Sequence, residues 1–430
     1  MSTESKLQAI RGMNDILPSE IAYWQHLEAT AHSVFAEYGF QEMRVPIVEH
    51  TSLFKRSIGE LTDIVEKEMY TFVDRSGDSL TLRPEATAGL VRAMISNGLL
   101  HNQRHKVWSS GAIFRHERPQ KGRYRQFHQL DVEAFGFVGP DIDAEMIMMT
   151  ARLWQRLGIK RLTLNINSLG TLQSRQVYRD MLRQYFNVQR ELLDEDSLRR
   201  LDGNPLRILD SKNPAMAELI AKAPLLTDHL DAESATHFAQ LQQHLAAVGI
   251  DYVVNPRLVR GLDYYTRTVF EWVTTELGSQ DAVCSGGRYD GLVEQLGGEP
   301  TAAVGWALGE ERIIGLMQTQ GIQVTADAPD VYVVLVGELA AAAGLALTEK
   351  LRDELGTGQR PCRIEINCGG GSFKSQLKRA DKSSARYAVI LGDSETEQQL
   401  AGLKSLRNDE PQAQVSWSVL ATELRRRLDA

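Results

Sequence analysis

Cysteine is scarce: the 430-residue chain has three, Cys284, Cys362 and Cys368, and no two of them form a CxxC pairing. An odd number without that spacing argues against a disulfide framework and a tetrahedral zinc site, and fits a reducing cytoplasm. No run reaches the roughly 18 apolar residues of a membrane-spanning helix, so no membrane span is expected. The opening stretch, MSTESKLQAIRGMND, has no apolar core followed by a small-residue cleavage site, so no secretory signal is expected either. Internal repeats and low-complexity tracts are missing. Excess positive charge is missing too. A net charge of −8 argues against a chain that coats nucleic acid non-specifically, because backbone binding needs cations.

What is present is the composition of folded soluble domains, 43% hydrophobic and 24% charged. The length exceeds one compact core and predicts two or three domains. Two local clusters run against the overall charge. Arg115, Arg118, Lys121, Arg123 and Arg125 face only Glu117, and Lys374, Lys378, Arg379, Lys382 and Arg386 face only Asp381.

An amphipathic helix is predicted from Ser19 to about Tyr38, with Ile21, Trp24, Leu27, Ala31, Val34, Phe35 and Tyr38 on one face, Ser19 as cap and Gly39 as stop. A proline-broken strand follows from Gly39 to Val48, then a hairpin from Met69 to Arg83, with Arg83 to Thr87 opening a helix. Two long strands, Lys106 to Glu117 and Gln126 to Phe137, flank the polar loop Arg118 to Arg125. A helix capped by Asp141 ends at Gly158, and residues 171–249 read as helical without strand alternation. Strand character returns at Tyr252 to Val254 and Tyr264 to Val273. Beyond a linker at Gly321 to Pro329, the order strand, helix, strand, helix, strand marks a small separate α/β domain. The glycine run Cys368 to Ser372 reads as a helix-entry turn, since it lacks nucleotide-loop spacing. The predicted class of the main body is α+β, an antiparallel sheet flanked by helices.

Chemistry concentrates in Phe114-Arg115-His116-Glu117 and Gln126-Phe127-His128-Gln129-Leu130-Asp131-Val132-Glu133. Alternate residues of a strand share a face. Arg115 and Glu117 are therefore expected to point one way, and Gln129, Asp131 and Glu133 to do likewise on the partner strand. Such a polar face is costly unless ligands or partners satisfy it. Interleaved Phe114, Phe127, Leu130 and Phe135 are expected to bury the opposite face.

These residues resemble the class II aminoacyl-tRNA synthetases. The helix leading to Val45-Pro46-Ile47 is similar to that family's first motif, Phe114 to Glu117 with the following loop and strand to its second, and Gly305-Trp306-Ala307-Leu308-Gly309-Glu310-Glu311-Arg312 to its third. Two longer peptides, Leu258-Val259-Arg260-Gly261-Leu262-Asp263-Tyr264-Tyr265-Thr266 and Ser285-Gly286-Gly287-Arg288-Tyr289-Asp290-Gly291-Leu292, resemble the signatures of histidyl-tRNA synthetases of bacterial type. Arg11 to Asp15 and Phe373-Lys374 extend the likeness across the chain.

The resemblance implies ATP-dependent ligation of L-histidine to its tRNA through histidyl-adenylate, by a cytoplasmic homodimer, with magnesium carried by ATP and no metal held by the chain. It implies Arg115 and Arg260 on the α-phosphate and histidine carboxylate, Arg312 on the γ-phosphate and adenine, Arg123 on the triphosphate and Glu117 on the adenine amino group. Arginine suits phosphate because its planar fork binds bidentately and stays charged. Glu85, Thr87 and Gln129 would hold the α-amino group, Glu133 and Tyr265 the imidazole nitrogens, with Tyr264 beside them. Arg118, Lys121 and Arg123 would meet the tRNA acceptor end, and Lys374 and Lys378 the anticodon. The last domain carries 14 basic against 14 acidic residues from Asp330 onward, so its affinity must come from that local patch. The implied domains are catalytic parts at residues 1–170 and 251–320, a helical insertion at 171–250, the linker at 321–329 and an anticodon-binding domain at 330–430.

Ala86 and Glu310 depart from the family pattern, which favours glycine and an apolar residue there. Three other readings remain. One is a histidine-binding regulatory paralogue that controls ATP phosphoribosyltransferase, which usually lacks the last domain and the arginines. The others are a class II ligase for another small amino acid and a plain RNA-binding scaffold.

Overall fold

The structure is a computed structural model that describes residues 7–59, 62, 64–120, 122–209, 211, 213–260, 262, 264–278, 281–325, 328–356 and 361–429. The chain divides into two compact units, Met1–Val324 and Thr325–Ala430.

In the first unit the amphipathic helix runs Ile21–Glu37 and buries Trp24, Leu27, Ala31, Val34 and Phe35. These side chains pack into the unit's own core with Trp108, Leu130 and Trp306. The expected Ser19 cap is not used. Glu20 is the N-cap without a side-chain bond, and the Leu17 carbonyl closes the turn by accepting from the Glu20 and Ile21 amides. Gly39 ends the helix as expected, with a φ of 75°.

Eight strands form the main sheet, in the order Gln41–Glu42, His105–Phe114, Gln126–Phe135, Ala303–Gly309, Ala282–Arg288, Thr266–Val273, Thr163–Ser168 and Val253–Val254. The outermost pair at each edge is parallel and the rest are antiparallel. This agrees with the α+β expectation. Helices Ile21–Glu37, Pro140–Leu157 and Glu310–Thr319 share one core with the even-numbered Leu130, Val132 and Ala134, so odd-numbered neighbours face the other way. Hence Phe127 is not on the buried side with Leu130, as expected, but lines a cleft with Gln129, Asp131 and Glu133. The preceding strand also stops at Phe114. Arg115 and Glu117 lie in a tight turn, where the Glu117 amide donates to the Arg115 carbonyl at 2.7 Å.

The hairpin strands Tyr70–Val73 and Ser79–Leu82 pair antiparallel, and Val48–His50 adds a third strand. The helix Pro140–Leu157 starts on proline after Gly139, so Asp141 sits in its first turn and is not its cap. Residues 171–250 fold mainly as helices Leu172–Val188, Glu195–Gly203, Ala217–Ala221 and Ala232–Ala247. The last of these packs Phe238, Leu241 and Leu245 into the core shared with Leu153.

The second unit has a five-stranded sheet ordered Ile364–Ile366, Val331–Val336, Tyr387–Gly392, Leu400–Ser405 and Ala413–Ser416. The first three strands are parallel and were expected. The antiparallel last two, and the helix Leu420–Leu428 that packs on them, were not. Ser372 caps the helix Phe373–Lys382, accepting from the Ser375 amide.

Candidate active site

On the sheet face turned away from that helical core, one cleft is lined by Glu85, Thr87, Arg115, Glu117, Arg123, Gln129, Glu133, Arg260, Tyr264, Tyr265 and Arg312. Every position expected to meet ATP or histidine therefore comes together, though the stretches are scattered through more than two hundred residues of chain.

One end of the cleft is cationic. Arg115 donates from Nε to the Pro84 carbonyl at 2.8 Å and lies 5.4 Å above the Phe127 ring. Arg312 donates to the carbonyls of Gly122 and Ala282, at 3.1 and 2.9 Å. Burial, then Arg123 and Arg115 beside it, loosens its hold on its proton, although a guanidinium stays charged at neutral pH. Such crowding of like charge is relieved by a polyanion. Arg123 Nε pairs with Glu117 Oε2 at 2.6 Å, so these two neutralise each other. Arg260 donates to Glu271 at 3.0 Å, lies 5.5 Å from the Tyr265 ring, and keeps its buried Nε without a partner.

The other end is a buried acceptor pocket. Glu85 is 4% exposed; its Oε1 accepts from the Ala88 amide at 2.8 Å, while Oε2 has no partner. Gln129 Oε1 is likewise buried and unpaired. These are acceptors that an incoming ammonium would satisfy. Glu133 accepts from the Thr87 hydroxyl at 2.6 Å and from the Tyr289 hydroxyl. Burial pushes its carboxyl up to about 8, against both hydroxyl donors.

Backbone packing explains the glycines of two motifs. A Cβ on Gly305 would overlap the Glu133 carboxylate, and one on Gly287 would strike the Thr268 carbonyl and the Tyr265 ring. Ala86 needs no glycine: its φ is −100°, and its methyl packs with Leu90 and Ile113. Glu310 is buried, accepts from the Ser110 hydroxyl at 3.2 Å, and is pushed up to about 7 by burial and then Glu28.

Two cleft residues were missed as ligand or support groups. Asp131 lines the pocket, and its parity with Gln129 and Glu133 was the available signal. Tyr289 reaches Glu133 from within the second signature, while its neighbour Arg288 is wholly buried in ion pairs with Asp143 and Asp290. Of the residues expected at tRNA, Arg123 is in the cleft, Arg118 is exposed on the adjoining loop, and Lys121 lies outside the described residues. In the second unit, Lys374 and Lys378 are exposed on one helix with the half-exposed Phe373. Among the described residues, no group of three or more His, Cys, Asp or Glu side chains is placed to hold a metal ion.

A family model described as histidyl-tRNA synthetase matches residues 12–313, and one described as an anticodon binding domain matches residues 330–427. The chain is 57% identical over 420 residues to the histidine–tRNA ligase of Hydrogenovibrio crunogenus, a match spanning 98% of each chain. Its structure is similar to apo histidyl-tRNA synthetase of S. aureus, with a TM-score of 0.82 and 32% identity, over 98% of this chain and 100% of that one. Histidyl-tRNA synthetase from Nostoc sp. shares the fold, with a TM-score of 0.70 and 21% identity, over 98% and 100% of the two chains.

Proposed function

The chain belongs to the histidyl-tRNA synthetase family and couples ATP to the attachment of histidine to tRNA, and from that premise we propose how its side chains divide the work. An oxygen of the histidine carboxylate attacks the α-phosphorus of ATP, the bond to diphosphate breaks, and histidyl-adenylate forms. A hydroxyl of the tRNA acceptor end then attacks the carbonyl carbon, and AMP leaves. No side chain becomes covalently attached; the chain contributes position and charge.

Arg115 and Arg260 hold the α-phosphate and the carboxylate on either side of the reacting atoms. Arg312 and Arg123 take the outer phosphates, and Arg312 also lies against adenine. Glu117, released from Arg123, accepts from the adenine amino group. Glu85, Thr87 and Gln129 hold the ammonium, while Glu133 and Tyr265 meet the two imidazole nitrogens with Tyr264 packed alongside. A site that pairs both ring nitrogens rejects isosteres lacking them. Magnesium enters on the phosphates of ATP and adds positive charge there.

The observation that carries this reading is the polarity of the cleft. Cations crowd one end, and buried acceptors with unmet hydrogen bonds, Glu85 Oε2 and Gln129 Oε1, occupy the other. That order matches phosphate, carboxylate and ammonium along the reacting pair of substrates. Arg118, Lys121 and Arg123 guide the acceptor end, and Lys374 and Lys378 hold the anticodon, whose unstacked bases can lie on Phe373. The enzyme acts as a cytoplasmic homodimer. Because the Ile21–Glu37 helix uses its apolar face in its own core, the partner would meet exposed apolar groups such as Ile47, Val48, Phe72 and Val73.

The test is amino-acid-dependent exchange of diphosphate into ATP with each of the twenty amino acids. Histidine alone should support exchange. No exchange with histidine, or equal exchange with several others, would sink the reading.

A further inference from the structure

The division of labour above leaves Asp131 without a task, although it stands between Gln129 and Glu133 on the cleft face of their strand. It is 2% exposed. On the cleft side it shares the pocket with Glu85 at the strand-to-helix corner, Arg115 from the loop and Glu133 on its own strand, while the charges of Arg83 beside Glu85 and of Glu310 on the helix behind the sheet also act on it. Glu85 is equally buried and leaves one oxygen unpaired. Arg83 donates from Nε to the Ala112 carbonyl at 2.9 Å, and its charge still acts on Asp131. Glu85, Asp131 and Glu133 thus line one pocket and are all buried, and three carboxyl groups so placed resist ionising together even with Arg83 and Arg115 near them.

We propose that Asp131 is a further histidine-recognising residue, which with Glu85 forms a carboxyl–carboxylate pair that holds a proton in the empty pocket and releases it when the α-ammonium of histidine enters. The inference rests on the reading that Glu85 and Gln129 receive that ammonium. One positive charge arrives on nitrogen, one proton leaves to solvent, and no covalent bond changes. Burial, then the Glu85 charge, pushes the Asp131 carboxyl up to about 8, against the opposing pull of Arg83 and Arg115. Because binding expels a proton, histidine affinity strengthens as pH rises toward about 8 and levels off above it.

The experiment is calorimetric titration of the full-length protein at about pH 7.5, where free imidazole is mostly neutral. The ligands are L-histidine, L-histidinol, which keeps the ammonium but lacks the carboxylate, and imidazolepropionate, which lacks the ammonium. Each is run in PIPES and in Tris, whose ionisation heats differ. Histidine and histidinol should each release roughly half to one proton more than imidazolepropionate, which can displace a proton only from Glu133. Asp131→Asn should remove most of that release and weaken histidine about tenfold, the size of one charge-assisted hydrogen bond, while hardly changing imidazolepropionate. Equal heats in the two buffers would overturn the inference. So would equal release by all three ligands, which would assign the whole proton to Glu133. These ligand comparisons stand on the wild-type protein even if the variant folds poorly. Glu85→Gln separates the two levels of argument. If it leaves the preference for histidine over imidazolepropionate intact, the α-amino reading fails. If it abolishes that preference while Asp131→Asn changes nothing, only the role of Asp131 fails.

Discussion

The Tyr289 hydroxyl donates to Glu133 Oε2, while the Thr87 hydroxyl donates to Oε1 of the same carboxylate. Glu133 is thereby held from both sides before any substrate arrives, and the Tyr289 ring stands edge-on to those of Tyr264 and Tyr265. Tyr289→Phe keeps the ring and removes one donor. The Michaelis constant for histidine in the exchange reaction should rise about fivefold, near 1 kcal/mol for one hydrogen bond, with that for ATP unchanged. An equal rise for both substrates would show that Tyr289 supports the cleft as a whole.

Arg260→Ala removes a cation from the reacting atoms. Exchange should fall by roughly two to three orders of magnitude, the usual cost of one transition-state charge partner. Circular dichroism should be unchanged. Arg260→Lys should recover little, because an ammonium cannot bind bidentately. Undiminished exchange in the alanine variant would remove Arg260 from its proposed place.

Glu310 titrates near 7 in the folded chain, above its ordinary 4.5, so folding favours its protonated form. Its contribution to stability is complete below about 4.5 and is lost as pH rises through about 7. Glu310→Gln should therefore unfold at nearly the wild-type temperature at pH 5 but gain on it by pH 8, by about 1–3 kcal/mol. Thermal melts at the two values check this, and a constant gap would contradict it.

Arg288 and Asp143 form an ion pair in which both side chains are wholly buried, and His237 Nε2 lies 2.7 Å from the same aspartate. Removing one partner strands the other. Arg288→Ala should cost about 3–5 kcal/mol in urea unfolding. Asp290→Asn, at the partly exposed rim of the cluster, should cost far less.

Deleting residues beyond Pro329 should spare diphosphate exchange and weaken tRNA charging, because the cleft lies within the first unit and the second has its own core. A truncated chain that charged tRNA as well as the full chain would contradict an anticodon-reading role.

Much of this was legible in the residues, for reasons that differ by element. Period-two alternation placed Gln129, Asp131 and Glu133 on one face, and the helical spacing of Trp24 to Phe35 named the buried stripe. The same alternation, applied strictly, would have put Phe127 in the cleft; reading it as apolar and therefore buried ignored its parity. Caps were less legible, because Ser19 and Asp141 competed with a backbone turn and a Pro140 start that leave no side-chain trace. The hydroxyl support of Glu133 could not be read at all. Tyr289 and Glu133 are 156 positions apart, and only the strand order brings them together.

The overlap that any side chain on Gly305 would make with Glu133 also bears on how this pocket could evolve. Glu133 and Gly305 are partners in the strand register, so what one may become depends on what the other is. Shortening Glu133 to admit a larger amino acid opens space that Gly305 alone cannot fill. Enlarging Gly305 first destroys the site before any new substrate is gained. A route from histidine to another substrate therefore has an order imposed on it, with the carboxylate changing before the glycine.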